Sequence, residues 1–275
     1  MPTLALPVII EPEELQPLLS LPKLLLVDLS DPANYQQQHL PGAVNLPFQS
    51  LIQAKPPAMG MLPDEMRLSL LLSTIGLTPE HHVVAYDREG NGRASRLLWT
   101  LDTIGHSAFS LLDGGLAAWQ ASGGALESGI VTPTPSHYQA RFLNPDAIAD
   151  LNYIRHRLQD PDLLVLDTRS ADEYSGIDRR ALRAGHIPGA VNLNWTDVMD
   201  PQRQQRLLPE PVLRDLLEQR GVTQDKEIVL HCQTHHRSAH TYVVLKHLGY
   251  PRLRGYAGSW SEWGNRDDTP IESGT

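Results

Sequence analysis

The sequence predicts an α/β chain made of two tandem copies of one domain, each a parallel sheet with helices on both faces. Three observations carry this. Two seven-residue segments nearly recur, HLPGAVN at His39–Asn45 and HIPGAVN at His186–Asn192. Other matched pieces follow in the same order at an offset of roughly 145 residues, far longer than a solenoid unit, which marks a duplicated domain. Short aliphatic runs ending in Asp or Cys alternate with helical patterns, the order that builds a parallel sheet covered by helices.

Taken in chain order, LLLVDLSDPANY (Leu24–Tyr35) parallels LLVLDTRSADEY (Leu163–Tyr174), each with an aliphatic run ending in Asp that reads as a buried strand. The Pro-Gly pairs Pro41-Gly42 and Pro188-Gly189 mark turns into the strand AVNL. Asp64–Ile75 and Glu210–Arg220 carry helical spacing, and Gly76 and Gly221 stand at positions that end a helix. VVAYDREGNGRAS (Val83–Ser95) parallels IVLHCQTHHRSA (Ile228–Ala239), which sets Asp87 opposite Cys232. DGGLAAWQASG (Asp113–Gly123) parallels YAGSWSEWGNR (Tyr256–Arg266), with Trp119 opposite Trp263. ASGGALESGIVTPTPSHY between the halves is rich in Gly, Ser, Thr and Pro and reads as a linker. The resulting division is a domain over 1–124, a linker over 125–141 and a second domain over 142–275.

Composition narrows the function. A net charge of −9 opposes a broad nucleic-acid surface, which needs clustered Lys and Arg. No apolar run is long enough to span a bilayer, and MPTLALPVIIEPEEL lacks a basic leader region and is broken by Pro2 and Pro7. One cysteine excludes an intrachain disulfide and fits a reducing compartment, most simply the cytoplasm.

That cysteine, Cys232, follows the apolar run Ile228–Leu230 and precedes a helical pattern, so it sits at a strand's C-terminal end and a helix mouth. Backbone N–H groups and the helix dipole favour an anion there, and a thiolate so placed is a nucleophile. A free cysteine has a pKa of about 8.5. Lowering it by roughly two units takes about 2.7 kcal/mol of preference for the anion. Two or three loop amides, at roughly 1.5–3 kcal/mol for each bond to a charged group, supply that. Arg237 is the fixed cation to add, and the loop residues Gln233, Thr234, His235 and His236 lie between it and Cys232.

These motifs resemble the tandem rhodanese sulfurtransferases over nearly the whole chain: GHIPGA at Gly185–Ala190, GSWSEW at Gly258–Trp263, and a cysteine opening a loop in the second copy alone. The fold then implied is two tandem rhodanese-like domains. The first is catalytically silent, since the Asp87 carboxylate forms no persulfide, and it walls the cleft of the second. The activity implied is transfer of a sulfane sulfur from thiosulfate or a similar small anionic donor to cyanide or a thiol or dithiol acceptor, a small redox protein among them. The intermediate is a persulfide on Cys232, and no cofactor or metal is needed. The loop CQTHHR resembles a bacterial variant. By the same resemblance, the four-residue gap between Cys232 and Arg237 implies a loop that holds a single sulfur atom, whereas the related cysteine phosphatases enclose five residues and cradle an oxyanion.

Blander readings stand beside these. Free cysteine is commonly a small core hydrophobe. CQTHHRSAH offers Cys232, His235, His236 and His240 as metal ligands, but adjacent histidines point apart; His235 and His236 read instead as an exposed or partly exposed loop rim. Arg179, Arg180 and Arg183 lie in an eight-residue insertion relative to the first half. By resemblance to mercaptopyruvate sulfurtransferases, Arg179 matches one of two substrate arginines, while Ser175 replaces the other. Trp195 occupies a position where the family has an aromatic near the cysteine, and otherwise reads as core. His39 and His186 read as turn architecture, and Trp260 and Trp263 as core. The alternative functions are a sulfur carrier or binding module with little turnover, and 3-mercaptopyruvate sulfurtransferase.

Overall fold

The computed structural model describes residues 6–274, so Pro2, on which the leader reading partly rests, lies outside the described residues. In chain order the elements are β1 (Ile9–Ile10), α1 (Pro12–Leu15), β2 (Leu24–Asp28), α2 (Pro32–Gln37), β3 (Val44–Asn45), β4 (Gln53–Lys55), β5 (Ala58–Met61), α3 (Glu65–Thr74), β6 (His82–Tyr86), α4 (Gly92–Thr103), β7 (Phe109–Leu112) and α5 (Gly115–Ala121). They continue with β8 (Ile148–Ala149), α6 (Leu151–Arg155), β9 (Leu163–Asp167), α7 (Ala171–Ser175), β10 (Val191–Asn192), β11 (Met199–Asp200), β12 (Arg206–Leu207), α8 (Glu210–Glu218), β13 (Glu227–His231), α9 (Arg237–His247), β14 (Leu253–Tyr256) and α10 (Ser259–Trp263).

The duplication is visible in the sheets. One has the order β1-β7-β6-β2-β3 and the other β8-β14-β13-β9-β10, and neighbouring strands in both run parallel. The central strands β6 and β13 are buried along their whole length, as a strand with helices on both faces must be. The repeated letters do repeated work. Tyr35 Oη donates to the Ala43 carbonyl at 2.7 Å, and Tyr174 Oη to Ala190 at 2.6 Å. His39 and His186 stack on these tyrosines with ring centroids 4.1 and 3.7 Å apart. Asn45 and Asn192 each donate to two carbonyls that flank the end of the neighbouring strand. Trp119 and Trp263 are fully buried, each with its indole N–H on a carbonyl six or seven residues on, Ala125 and Pro270. Both histidines are thus turn architecture, and the tryptophans are core.

The chain divides into two compact units, but not at a single point. The first holds residues up to Leu51, Pro63–Asn144 and Asp200–Leu207; the second holds Ile52–Leu62, Pro145–Met199 and Leu208 onward. Residues 125–141, expected to be a linker, are fastened along the first unit. His39 and Glu127 exchange backbone hydrogen bonds at 2.9 Å, and the Glu127 carboxylate accepts from Gly42 N. His186, Gly189 and Glu272 repeat this in the second unit, so the segment opens as the first unit's closing strap. It then runs along α3, where Tyr138 and Ala140 N–H groups reach the hydroxyls of Ser73 and Ser69. Gly, Ser and Pro content signals absence of regular structure; here the backbone donors find side-chain partners instead.

Two short arms complete the units. Residues 200–207 belong to the first, where Leu207 N donates to the Asp113 carboxylate at 2.9 Å and Arg206 pairs with Glu11 and Glu13. The β4–β5 hairpin belongs to the second, where Met59 N donates to Ser261 Oγ at 3.1 Å. Among the described residues, no helix is long and apolar enough to cross a membrane.

Candidate active site: a thiol in an anion cradle

The second unit places Cys232 directly after β13, in a loop that ends where α9 begins at Arg237. Its side chain is fully buried, as an inert core thiol's is, yet its surroundings are polar. Burial pushes the thiol's pKa up, but the Arg237 guanidinium, the Ser238 hydroxyl and the amides of Ser238 and Thr234 outweigh that and hold it below the ordinary range. The thiolate is therefore the favoured form at lower pH than in a free cysteine, the condition a nucleophile needs.

The loop's carbonyls are turned away from the sulfur by the turn after β14. Trp260 N donates to the Cys232 carbonyl at 2.9 Å and Ser261 N to the Gln233 carbonyl at 3.0 Å. Ser259, at φ +51, sets its Oγ 3.3 Å from Cys232 N. This gives the segment GSWSEW a second role beyond packing Trp260 and Trp263: it holds the carbonyl side of the loop so that the amides face inward.

The first unit contains the same cradle with a different occupant. Asp87 follows β6, and its carboxylate accepts from the N–H groups of Glu89, Asn91, Arg93 and Ala94 at 2.7, 2.8, 2.9 and 3.0 Å. Strand, loop and helix start thus build an anion site in each unit. One is filled by a carboxylate that bonds to it permanently; the other presents sulfur.

Arg237 is positioned by Glu173, a residue sequence reasoning missed. The guanidinium makes a two-pronged contact, Nη1 to Oε2 at 2.6 Å and Nη2 to Oε1 at 2.9 Å. Glu173 is buried and held below the ordinary carboxylate range against the cost of burial, chiefly by Arg237. The available signal was Ser170-x-x-Glu173: Ser170 caps α7 through Glu173 N, and the Glu173 side chain returns to Ser170 N. The motif is legible as a helix start, but the reach of the same carboxylate to Arg237, 64 residues on, is not.

Beneath the loop lies a second missed group. Arg169, buried, grips Asp167 through Nε at 2.9 and 3.0 Å and Nη2 at 2.5 Å, donates to the Gly185 carbonyl, and stacks over Trp260 at 4.4 Å. His231, next to Cys232, stands 3.6 Å from Asp167, and burial pushes the imidazole's pKa down; Asp167 is held below the ordinary carboxylate range against the cost of burial by His231 and Arg169.

The expected site residues divide. Thr234 and Arg237 converge on the sulfur. Gln233 points its amide to the Arg180 carbonyl at 3.1 Å, tying the eight-residue insertion to the cysteine loop. His235 corrects the expectation of a rim residue: it is fully buried, because its backbone takes a left-handed φ of +58° that turns the ring inward to Ser238 Oγ at 2.7 Å. His236 is half-buried at the start of α9, with Nδ1 3.2 Å from the Thr234 hydroxyl. Trp195 is half-buried and meets His240 edge-on at 5.6 Å. His240 is buried and held neutral, its pKa pushed down to about 4. Arg179 is exposed, and its guanidinium binds the carbonyls of Ala181 and Leu182 in its own loop.

Duplicated parallel sheets, each ending in an anion cradle and only one of them carrying a thiol, define a two-domain enzyme of sulfur transfer. The chain belongs to the rhodanese family: the model of the rhodanese-like domain matches it twice, over residues 11–122 and 150–266. It is 46% identical over 267 residues to a thiosulfate sulfurtransferase of Pseudomonas aeruginosa, covering 97% of each chain. It is 46% identical over 268 residues to a thiosulfate sulfurtransferase of Azotobacter vinelandii, covering 98% of each. The crystal structure of a 3-mercaptopyruvate sulfotransferase from Escherichia coli superposes with a TM-score of 0.83 at 27% identity, over 93% of this chain and 99% of that one.

Proposed function

We propose that this chain is a thiosulfate sulfurtransferase that works by double displacement through a persulfide on Cys232. The observation that carries this is the cradle: a buried thiol favoured as thiolate by two amides, a hydroxyl and Arg237, in the place where the other unit holds a carboxylate. The Cys232 thiolate attacks the outer sulfur of thiosulfate. A sulfur–sulfur bond forms to the enzyme, the donor's own sulfur–sulfur bond breaks, and its electron pair leaves on sulfite. The persulfide anion takes over the contacts to Thr234, Ser238 and Arg237. Cyanide, or the thiolate of a thiol or dithiol acceptor such as a small redox protein, then attacks the outer sulfur, and Cys232 departs as thiolate. Asp87 makes the first unit silent. A single cysteine suits the reducing conditions of the cytoplasm.

Thiosulfate is favoured over 3-mercaptopyruvate because Arg179 binds carbonyls of its own loop and Ser175 stands where a second arginine would complete a carboxylate clamp. Steady-state thiocyanate formation tests this: many turnovers with thiosulfate and a parallel-line pattern against cyanide are expected, with 3-mercaptopyruvate poorer by about tenfold or more, the worth of one good hydrogen bond to a charge. A single turnover that stops at the loaded protein would make the chain a sulfur carrier instead. Faster turnover with 3-mercaptopyruvate would reverse the donor assignment.

A further inference from the structure

The first half of the sequence contributes a short hairpin to the second unit, and the hairpin meets the cysteine loop itself. Gly60, in β5, is buried with its backbone against the loop: an ideal Cβ there would lie 2.3 Å from the Thr234 carbonyl oxygen, 2.8 Å from its carbon and 2.9 Å from the Ala257 oxygen. Every one of these atoms is backbone, so no side-chain rotation could make room. The neighbouring Met59 N–H is anchored on Ser261 Oγ, and Ser261 N in turn holds the Gln233 carbonyl. Hairpin, post-β14 turn and cysteine loop are therefore one packed layer. Thr234 is central to it, because its amide faces Cys232 and its carbonyl begins the peptide that puts His235 at φ +58.

We propose that Gly60 is a positioning residue for sulfur transfer: its bare backbone lets the hairpin clamp the Thr234–His235 peptide, which fixes the Thr234 amide on the sulfur and turns His235 inward to Ser238. Gly60 acts through the loop. The inference rests on the proposal that Cys232 carries the sulfur.

The test is Gly60→Ala in the full chain, with Lys55→Ala, an exposed change at the far end of the same hairpin, as the control. Three readouts are compared with wild type: the pH profile of Cys232 alkylation, kcat/KM for thiosulfate, and sulfur uptake by mass. Gly60→Ala is expected to shift the alkylation profile to higher pH and to lower kcat/KM by about 100-fold, the size of a roughly 1 Å misplacement. Lys55→Ala should match wild type in all three. Ser261→Ala is the second variant, should Gly60→Ala not fold, because it releases the Met59 anchor without inserting an atom; it is expected to shift the profile in the same direction by a smaller amount. A folded Gly60→Ala with the wild-type profile and kcat/KM within about twofold overturns the proposal, as does a wild-type profile in Ser261→Ala when Gly60→Ala cannot be made. Failure of wild type itself to take up sulfur would overturn the role of Cys232, and is distinguishable from failure of the clamp alone.

Discussion

Replacing Arg237 with alanine is expected to lower the rate of sulfur transfer by about 100-fold, the worth of a good bond to a charge, and to move the alkylation profile of Cys232 to higher pH. The cause is electrostatic. Cys232 is buried, and burial alone would raise its pKa; the Arg237 guanidinium is the largest single influence opposing that. Bonds to charged groups are worth roughly 1.5–3 kcal/mol, so loss of Arg237 removes that preference for the anion and raises the thiol's pKa. The reacting species is the thiolate. Reactivity is present above the folded-state pKa and is lost as pH falls through it, so raising that pKa removes activity first on the acid side and then at neutral pH. The persulfide loses the same contact, which adds to the fall in rate. Arg237→Lys keeps a charge but not the two-pronged contact with Glu173, and is expected to fall between alanine and wild type. Alkylation rates measured across pH check this; an unchanged profile in a folded Arg237→Ala would contradict it.

Replacing Arg169 with methionine is expected to destabilise the second unit by about 3–5 kcal/mol, because it leaves Asp167 charged and buried without its cation. The change also removes the guanidinium from the face of Trp260, and a urea transition followed by circular dichroism measures the loss. Pairing Arg169→Met with Asp167→Leu should recover part of the loss, since a buried pair replaced whole by apolar groups is often nearly neutral. A single variant within about 1 kcal/mol of wild type would contradict the reading of Arg169 as the guanidinium that keeps buried Asp167 ionised.

How far the sequence carried this follows from the range of each interaction. The duplication and the matched order of the two sheets were legible because each relies on local patterns: aliphatic runs, Pro-Gly turns, and the Tyr, His and Asn that serve them. The cysteine loop was legible because strand, loop and helix start are contiguous. Glu173 and the Asp167–Arg169 pair were not, since a charged residue in a strand-to-helix stretch reads as solvated surface until distant backbone closes over it. His235 misled for a related reason: its inward direction comes from a positive φ that no side-chain preference of histidine announces. Residues 125–141 read as a linker from composition, although Glu127 has its counterpart in Glu272. The two exchanged arms left no pattern at all, because a short hairpin looks the same wherever it docks.

The central claim is that Cys232 carries the transferred sulfur, and an intact mass spectrum tests it most directly. Wild-type protein exposed to thiosulfate and freed of excess donor should be heavier by one sulfur atom, cyanide should restore the original mass, and Cys232→Ser should show no gain. A wild-type spectrum without the added sulfur, or a gain that persists in Cys232→Ser, would contradict the account.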